Sequence, residues 1–194
     1  IKSEFPIFKQ KVNGKPLVYL DSAASAQKPQ QVIDALISAY SDTYSNVHRG
    51  LHFLSEASTD AYEAVRGKVA EFIGAQSSDE IVLTAGATMS LNLIAQCWAM
   101  PRLQAGDEIL ISIAEHHANI VPWQMLASEK NFEIRWIKID DNGHLDLSDF
   151  DQLIRGAKLL SFAAMSNVLG TFTPVKELTS RAQEMGLTVH ADAS

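Results

Sequence analysis

The chain has 194 residues, 46% hydrophobic and 20% charged, a composition that suits a folded domain with a sizeable core and argues against disorder. A net charge of −7 and a pI near 5.3 argue against nucleic acid or an anionic membrane as partner, and no apolar run is long enough to cross a bilayer. The single cysteine, Cys97, excludes an intrachain disulfide framework and fits a reducing, cytoplasmic setting, while the start at Ile1 rather than Met leaves room for a removed organellar presequence.

In chain order, Val12-Asn13-Gly14-Lys15 carries Asn-Gly, a strong hairpin signal, and Leu17-Val18-Tyr19-Leu20 reads as a short strand. The small residues Asp21-Ser22-Ala23-Ala24-Ser25 permit close backbone approach and equally suit a tight loop. Pro29 opens a helix to about Tyr40. Tyr44 to His52 reads as a polar loop holding Asn46, His48, Arg49 and His52; Gly50 and the lack of a third ligand argue against a metal on the two histidines. Ser55 to about Ile73 predicts a helix that buries Ala61, Val65, Val69 and Phe72 and stops at Gly74.

From Glu80 onward short apolar runs alternate with helical patterns. Strands are expected at Ile81 to Thr84, Glu108 to Ile113, Glu133 to Ile139, Lys158 to Met165 and Leu187 to Ala191. Helices are expected at Thr88 to Met100, Asn119 to Lys130, Asp146 to Arg155 and Pro174 to Met185, the last capped by Thr173 and ended by Gly186. Asp140-Asp141-Asn142-Gly143 reads as a turn, since later calcium ligands are missing. The fold class is therefore α/β, a mostly parallel sheet with helices on both faces.

Ligands of such sheets bind beyond the carboxyl ends of the strands. The expected strand ends carry Gly86-Ala87-Thr88, Glu115-His116-His117, Ser166-Asn167 and Asp192. Helix-start N–H groups at Ala87 and Thr88 suit a phosphate, an imidazole at His116 suits a flat ring, and a carboxylate at Asp192 suits a protonated ring nitrogen. Pyridoxal 5'-phosphate (PLP) is the cofactor with those needs, and Asn167 would donate to its ring oxygen. Taken singly, each residue also has an ordinary structural reading: surface histidine, turn asparagine, strand-end cap. Adjacent His116 and His117 point in different directions and lack a metal-site pattern.

With these residues assembled, the chain resembles the cysteine desulfurases of the iron-sulfur assembly group, class V aminotransferase-like enzymes of PLP fold type I. The likeness is densest in Tyr19-Leu20-Asp21-Ser22-Ala23-Ala24-Ser25-Ala26-Gln27-Lys28-Pro29, Val47-His48-Arg49-Gly50, Glu115 to Trp123 and Met165 to Gly170. It implies phosphate contacts at Ala87 and Thr88, ring stacking and proton transfer at His116, a ring-oxygen contact at Asn167 and a ring-nitrogen partner at Asp192. It further implies that Ala23, Ala24, His48, Arg49 and Asn167 lie near the substrate. Residues 1–53 would form an N-terminal arm with active-site loops, and 54–194 the first part of an incomplete large domain.

The implied activity converts L-cysteine to L-alanine and passes sulfur as a persulfide to an acceptor protein, in a homodimer. Selenocysteine lyase and cysteine sulfinate desulfinase are alternatives within the resemblance. The family's Schiff-base lysine, substrate arginine and persulfide cysteine are expected beyond Ser194, so the 194 residues alone are expected to be inactive, or a noncatalytic scaffold. Met89 stands where the family commonly has glutamate, and either removes a polar contact or fills an apolar gap. Cys97, between Leu93 and Met100, reads as a buried, inert thiol.

Overall fold

The computed structural model describes Ile1–Ser194, and its contacts divide the chain into two compact units, Ile1–Leu83 and Thr84–Ser194.

In the first unit, β1 (Lys11–Val12) and β2 (Lys15–Pro16) pair antiparallel across Asn13 and Gly14. Both turn residues have positive φ, at 52° and 76°, the geometry that makes Asn-Gly a hairpin turn. The strand expected at Leu17 to Leu20 does not form: the ladder ends at Pro16, and the following backbone has no strand beside it. Two helices follow, α1 (Gln30–Ser38) and α2 (Phe53–Ile73), the latter ended by Gly74 in the left-handed region at φ 74°.

The apolar face predicted for α2 is largely exposed, with Val65 at 46% and Phe72 at 91%. A different face packs within this unit. It runs through Ser55, Thr59, Glu63, Arg66 and Ala70, and its polar members hold loops rather than a core. Ile81 to Thr84 is also not a strand. Ile81 has extended dihedrals (φ −101°, ψ 119°), but no neighbouring strand pairs with the run, and a strand needs a partner's backbone to exist.

The second unit is built on four parallel strands, β3 (Glu108–Ser112), β4 (Glu133–Ile137), β5 (Leu159–Ala163) and β6 (Thr188–Asp192), in the order β4-β3-β5-β6. Its helices are α3 (Ala87–Leu93), which continues as a wider π turn through Ala99, α4 (Val121–Lys130), α5 (Phe150–Leu153) and α6 (Val175–Glu184). Alternating strand residues feed two cores. Ile109, Ile111 and Leu159 pack with Ala95, Ala99, Trp123 and Leu126 of the α3 and α4 side. Leu110, Leu160 and Phe162 pack with Phe150, Leu178 and Ala182 of the α5 and α6 side. The period of two along each strand thus produces the expected helix-covered faces.

Three local expectations are corrected. The helix expected from Asp146 to Arg155 shrinks to α5, because Asp146 turns its carboxylate back to the N–H and hydroxyl of Ser148 and makes a turn instead. Thr173 does not cap α6; its hydroxyl donates to the Ala163 carbonyl at 2.6 Å, tying the helix approach to the end of β5. Cys97 is exposed, because Leu91, Ala95 and Ala99 take the buried stripe at four-residue spacing and leave Cys97 on the opposite side. Asp140 to Gly143 is a turn, closed by the Gly143 N–H on the Asp140 carbonyl at 3.0 Å.

Candidate active site at the carboxyl ends of the strands

The cradle begins at Gly86, whose φ of 152° and ψ of 171° are rarely adopted by residues with side chains. No atom lies within 4 Å of where its Cβ would stand, so the surface in front is open. Met89 and Ser90 turn their N–H groups back to the Gly86 carbonyl at 3.0 and 3.2 Å. The N–H groups of Ala87 and Thr88, at the first positions of α3, have no intrahelical acceptor and remain for an anion. Thr84 braces the turn through Ser90 Oγ at 2.7 Å. Met89 is half exposed beside exposed Asn92 and Gln96, so within this unit it does not fill an apolar gap.

His116 sits in the turn after β3, and α3 packs against this turn. Its Nδ1 accepts the Ala118 N–H at 3.1 Å, so the neutral ring carries its proton on Nε2, and the side chain is exposed. The His117 ring stands nearly perpendicular to it, at 77°. Asn167 lies in the turn after β5 that the Gly170 N–H closes on the Ser166 carbonyl at 2.9 Å; it too is exposed. Asp192 ends β6, in register with Ala163 of β5, and its main-chain oxygen accepts the Ala164 N–H at 2.7 Å. Its Oδ1 accepts the Ser194 N–H at 3.1 Å. All five cofactor candidates therefore belong to one unit, with the turn of His116, the turn of Asn167 and Asp192 at the same end of the sheet.

Sequence reasoning passed over the polar core behind these residues. Glu115, Asn119 and Ser161 are buried, and His190 is half-buried. Burial pushes the Glu115 carboxyl up, against hydrogen bonds from Ser112, Ala163 and Asn119, and the charge of Asp192 adds to the rise. Burial pushes His190 down, with Asp192 opposing. A signal was available: Ser161 interrupts the apolar strand Leu159–Ala163, and buried hydroxyls have hydrogen-bond partners.

The substrate-side candidates lie in the first unit. Ala23 and Ala24 form an exposed turn that closes on the Asp21 carbonyl. His48 holds φ 60°, an uncommon conformation for a histidine. It is fixed by its N–H to Thr59 Oγ1 at 3.0 Å and by Nε2 to Glu63 at 2.9 Å. Glu63 also pairs with Arg66 at 2.7 Å, and Arg66 donates to the carbonyls of Ser78 and Ile81. Gly50 is required here, since a Cβ would come within 2.7 Å of Ser55 Cβ. Arg49, between these anchored residues, is exposed.

The donors and acceptors of the cradle, turn and strand end fit a flat, phosphorylated nitrogen heterocycle: helix-start N–H groups facing open space, an exposed imidazole and a carboxylate. Comparison with known proteins points the same way. The chain is 50% identical to a cysteine desulfurase of Serratia proteamaculans over all of its own length and 48% of that protein. The apo structure of a cysteine desulfurase from Thermococcus onnurineus NA1 superposes with a TM-score of 0.91 at 37% identity, over 100% of this chain and 46% of that one. The cysteine desulfurase CsdA from Escherichia coli gives a TM-score of 0.82 at 37% identity, over 98% and 47%. The chain spans about half the length of the relatives it matches. The fold is that of one half of a fold-type I PLP enzyme. Residues 18–194 match the model of the class-V aminotransferases, and the chain belongs to that family.

Proposed function

We propose that the full-length protein is a PLP-dependent cysteine desulfurase and that this chain supplies the cofactor-holding half of its site. The C–S bond of L-cysteine breaks, the β-carbon gains a proton to give alanine, and the sulfur leaves on an acceptor thiolate as a persulfide for iron-sulfur cluster assembly. The observation that carries the reading is the placement of the His116 turn, Asn167 and Asp192 at one end of the sheet, in the same unit as the open N–H groups of Ala87 and Thr88. Its support from relatives is the cysteine desulfurase at 50% identity.

In this reading Ala87 and Thr88 would bind the phosphate, and Asp192 would hold a proton on the ring nitrogen. His116 would stack on the ring and offer Nε2 for proton transfer, and Asn167 would donate to the ring oxygen. PLP, when bound, supplies an electron sink for the amino acid's electron pair. The family resemblance would also put Ala23, Ala24, His48, Arg49 and Asn167 near the substrate. The division into residues 1–53 and 54–194, the homodimer and the cytoplasmic location belong to the same proposal and rest on the family resemblance.

The test is to supply the full-length protein with PLP, a thiol reductant and L-cysteine, and to measure sulfide and alanine together. Equal release of both is expected. Turnover of selenocysteine or cysteine sulfinate without turnover of cysteine would replace this substrate with the related one, and no turnover of any would overturn the activity.

A further inference from the structure

Between the turn bearing His116 and the strand bearing Asp192 runs a buried hydrogen-bond chain whose direction is fixed by the chemistry of its members. Trp123 Nε1 can only donate, and it donates to Asn119 Oδ1 at 2.9 Å. Asn119 therefore turns its Nδ2 to Glu115 Oε2, at 2.6 Å. The Ser161 hydroxyl donates to the same Oδ1 at 2.9 Å, so its lone pair accepts a proton held on His190 Nδ1, 2.8 Å away. Glu115 Oε1 accepts the Ala163 N–H at 2.8 Å and the Ser112 hydroxyl. The donors thus run from β6 through β5 to Glu115. Ser161 and His190 are register partners, as are Ala163 and Asp192.

We propose that Glu115 is a positioning residue of the candidate site: its buried carboxylate clamps the His116 turn to the end of β5 and sets a negative charge one strand away from Asp192. The inference rests on the cofactor reading above, because its consequence is felt at the ring nitrogen that Asp192 would hold. Glu115 neighbours His116 in sequence, yet it is only 8% exposed and turns its carboxylate to the Ala163 N–H. The titratable groups facing it are Asp192, through its charge, and His190, through the chain. Three donors converge on one carboxylate, an arrangement that serves the ionised form.

The decisive variant is Glu115→Gln in the full-length protein. It keeps the size, removes the charge and sets an NH2 donor against either the Asn119 Nδ2 or the Ala163 N–H. The Kd for PLP is expected to rise about tenfold, the equivalent of about 1.4 kcal/mol. The midpoint of the pH titration of the bound cofactor's visible absorbance is expected to fall, because losing a nearby negative charge eases loss of a proton. A second variant, Ser161→Ala, cuts the chain between Asn119 and His190 without removing a charge. It is expected to weaken PLP less and to leave the midpoint in place.

A Glu115→Gln protein that melts earlier but keeps the wild-type Kd and midpoint would make Glu115 a purely structural group and overturn the proposal. If that variant does not fold, Glu115→Asp decides, since it keeps the charge and shortens the reach to Ala163: a raised Kd supports the positioning role and an unchanged one overturns it. A wild-type protein that binds no PLP would defeat the cofactor reading itself, and this inference with it.

Discussion

The segments Ile1–Leu83 and Thr84–Ser194 are held by different forces. In the first, only Ala70 and Ile81 are buried apolar residues, while Leu20, Leu51 and Phe72 are more than 90% exposed. Its order comes from side chains of α2 that reach back to the loops: Ser55 to the backbone of Asn46 and Gly50, Thr59 to the His48 N–H, Glu63 to the His48 ring, and Arg66 to the carbonyls of Ser78 and Ile81. The second segment buries a continuous run of Ile109, Leu110 and Ile111, and of Leu159, Leu160 and Phe162, between two layers of helices. Loops tied by a few polar contacts can hold an unusual conformation, as at His48. A rigid placement of catalytic groups needs the second kind of support, and the cofactor candidates are found there.

The contrast can be broken most directly in the core. Phe162→Ala should cost about 3–5 kcal/mol in denaturant unfolding, whereas Phe72→Ala should change stability by less than about 0.5 kcal/mol. Equal losses would mean that the first segment has an apolar core of its own. Trp123→Phe keeps an aromatic side chain but removes one donor from Asn119 Oδ1 and part of a buried ring, and should cost about 1–3 kcal/mol by the same measurement. No loss would mean that the polar core is not under tension from its donors. In the first segment, Glu63→Ala removes the contacts to His48 and Arg66, both partly exposed to solvent, and should cost less than about 1 kcal/mol. It should nonetheless speed amide exchange at His48; unchanged exchange would show that Thr59 alone holds the loop.

The smallest effect sharpens the picture of the polar core, through the pH dependence of stability. His190 has a folded-state pKa below its ordinary value, so its contribution is present above about pH 6.5 and is lost as pH falls toward the folded value. Glu115 has a raised folded-state pKa, so its contribution is present below the ordinary glutamate value and is lost as pH rises through the folded one. Unfolding free energies across this range should lose the acid-side decline in His190→Gln and the opposite decline in Glu115→Gln. A His190→Gln curve parallel to wild type would show that His190 titrates alike in both states.

Some of this protein was legible in its residues alone. Asn13-Gly14 fixed a hairpin because two positive φ angles suit those residues, and Gly74 and Gly186 ended helices for the same local reason. Apolar runs such as Ile109-Leu110-Ile111 announced strands buried on both faces, and with them the layered α/β fold. The motif around His116 and the small residues before Thr88 marked the candidate site, since helix starts and strand ends carry their chemistry in short segments.

The rest belonged to the tertiary structure. Leu17 to Leu20 and Ile81 to Thr84 have strand-like composition, but a strand requires a neighbour's backbone, which no local pattern supplies. Which face of α2 would pack, and on which side of its helix Cys97 would lie, depended on what stood opposite them. The polar core was set the same way. Glu115, Asn119, Ser161 and His190 are scattered along the chain, and only parallel strand register brings Ser161 beside His190 and Ala163 beside Asp192. Short-range preferences are properties of the residue itself, whereas partners, burial and charge coupling are properties of what the folded chain places beside it.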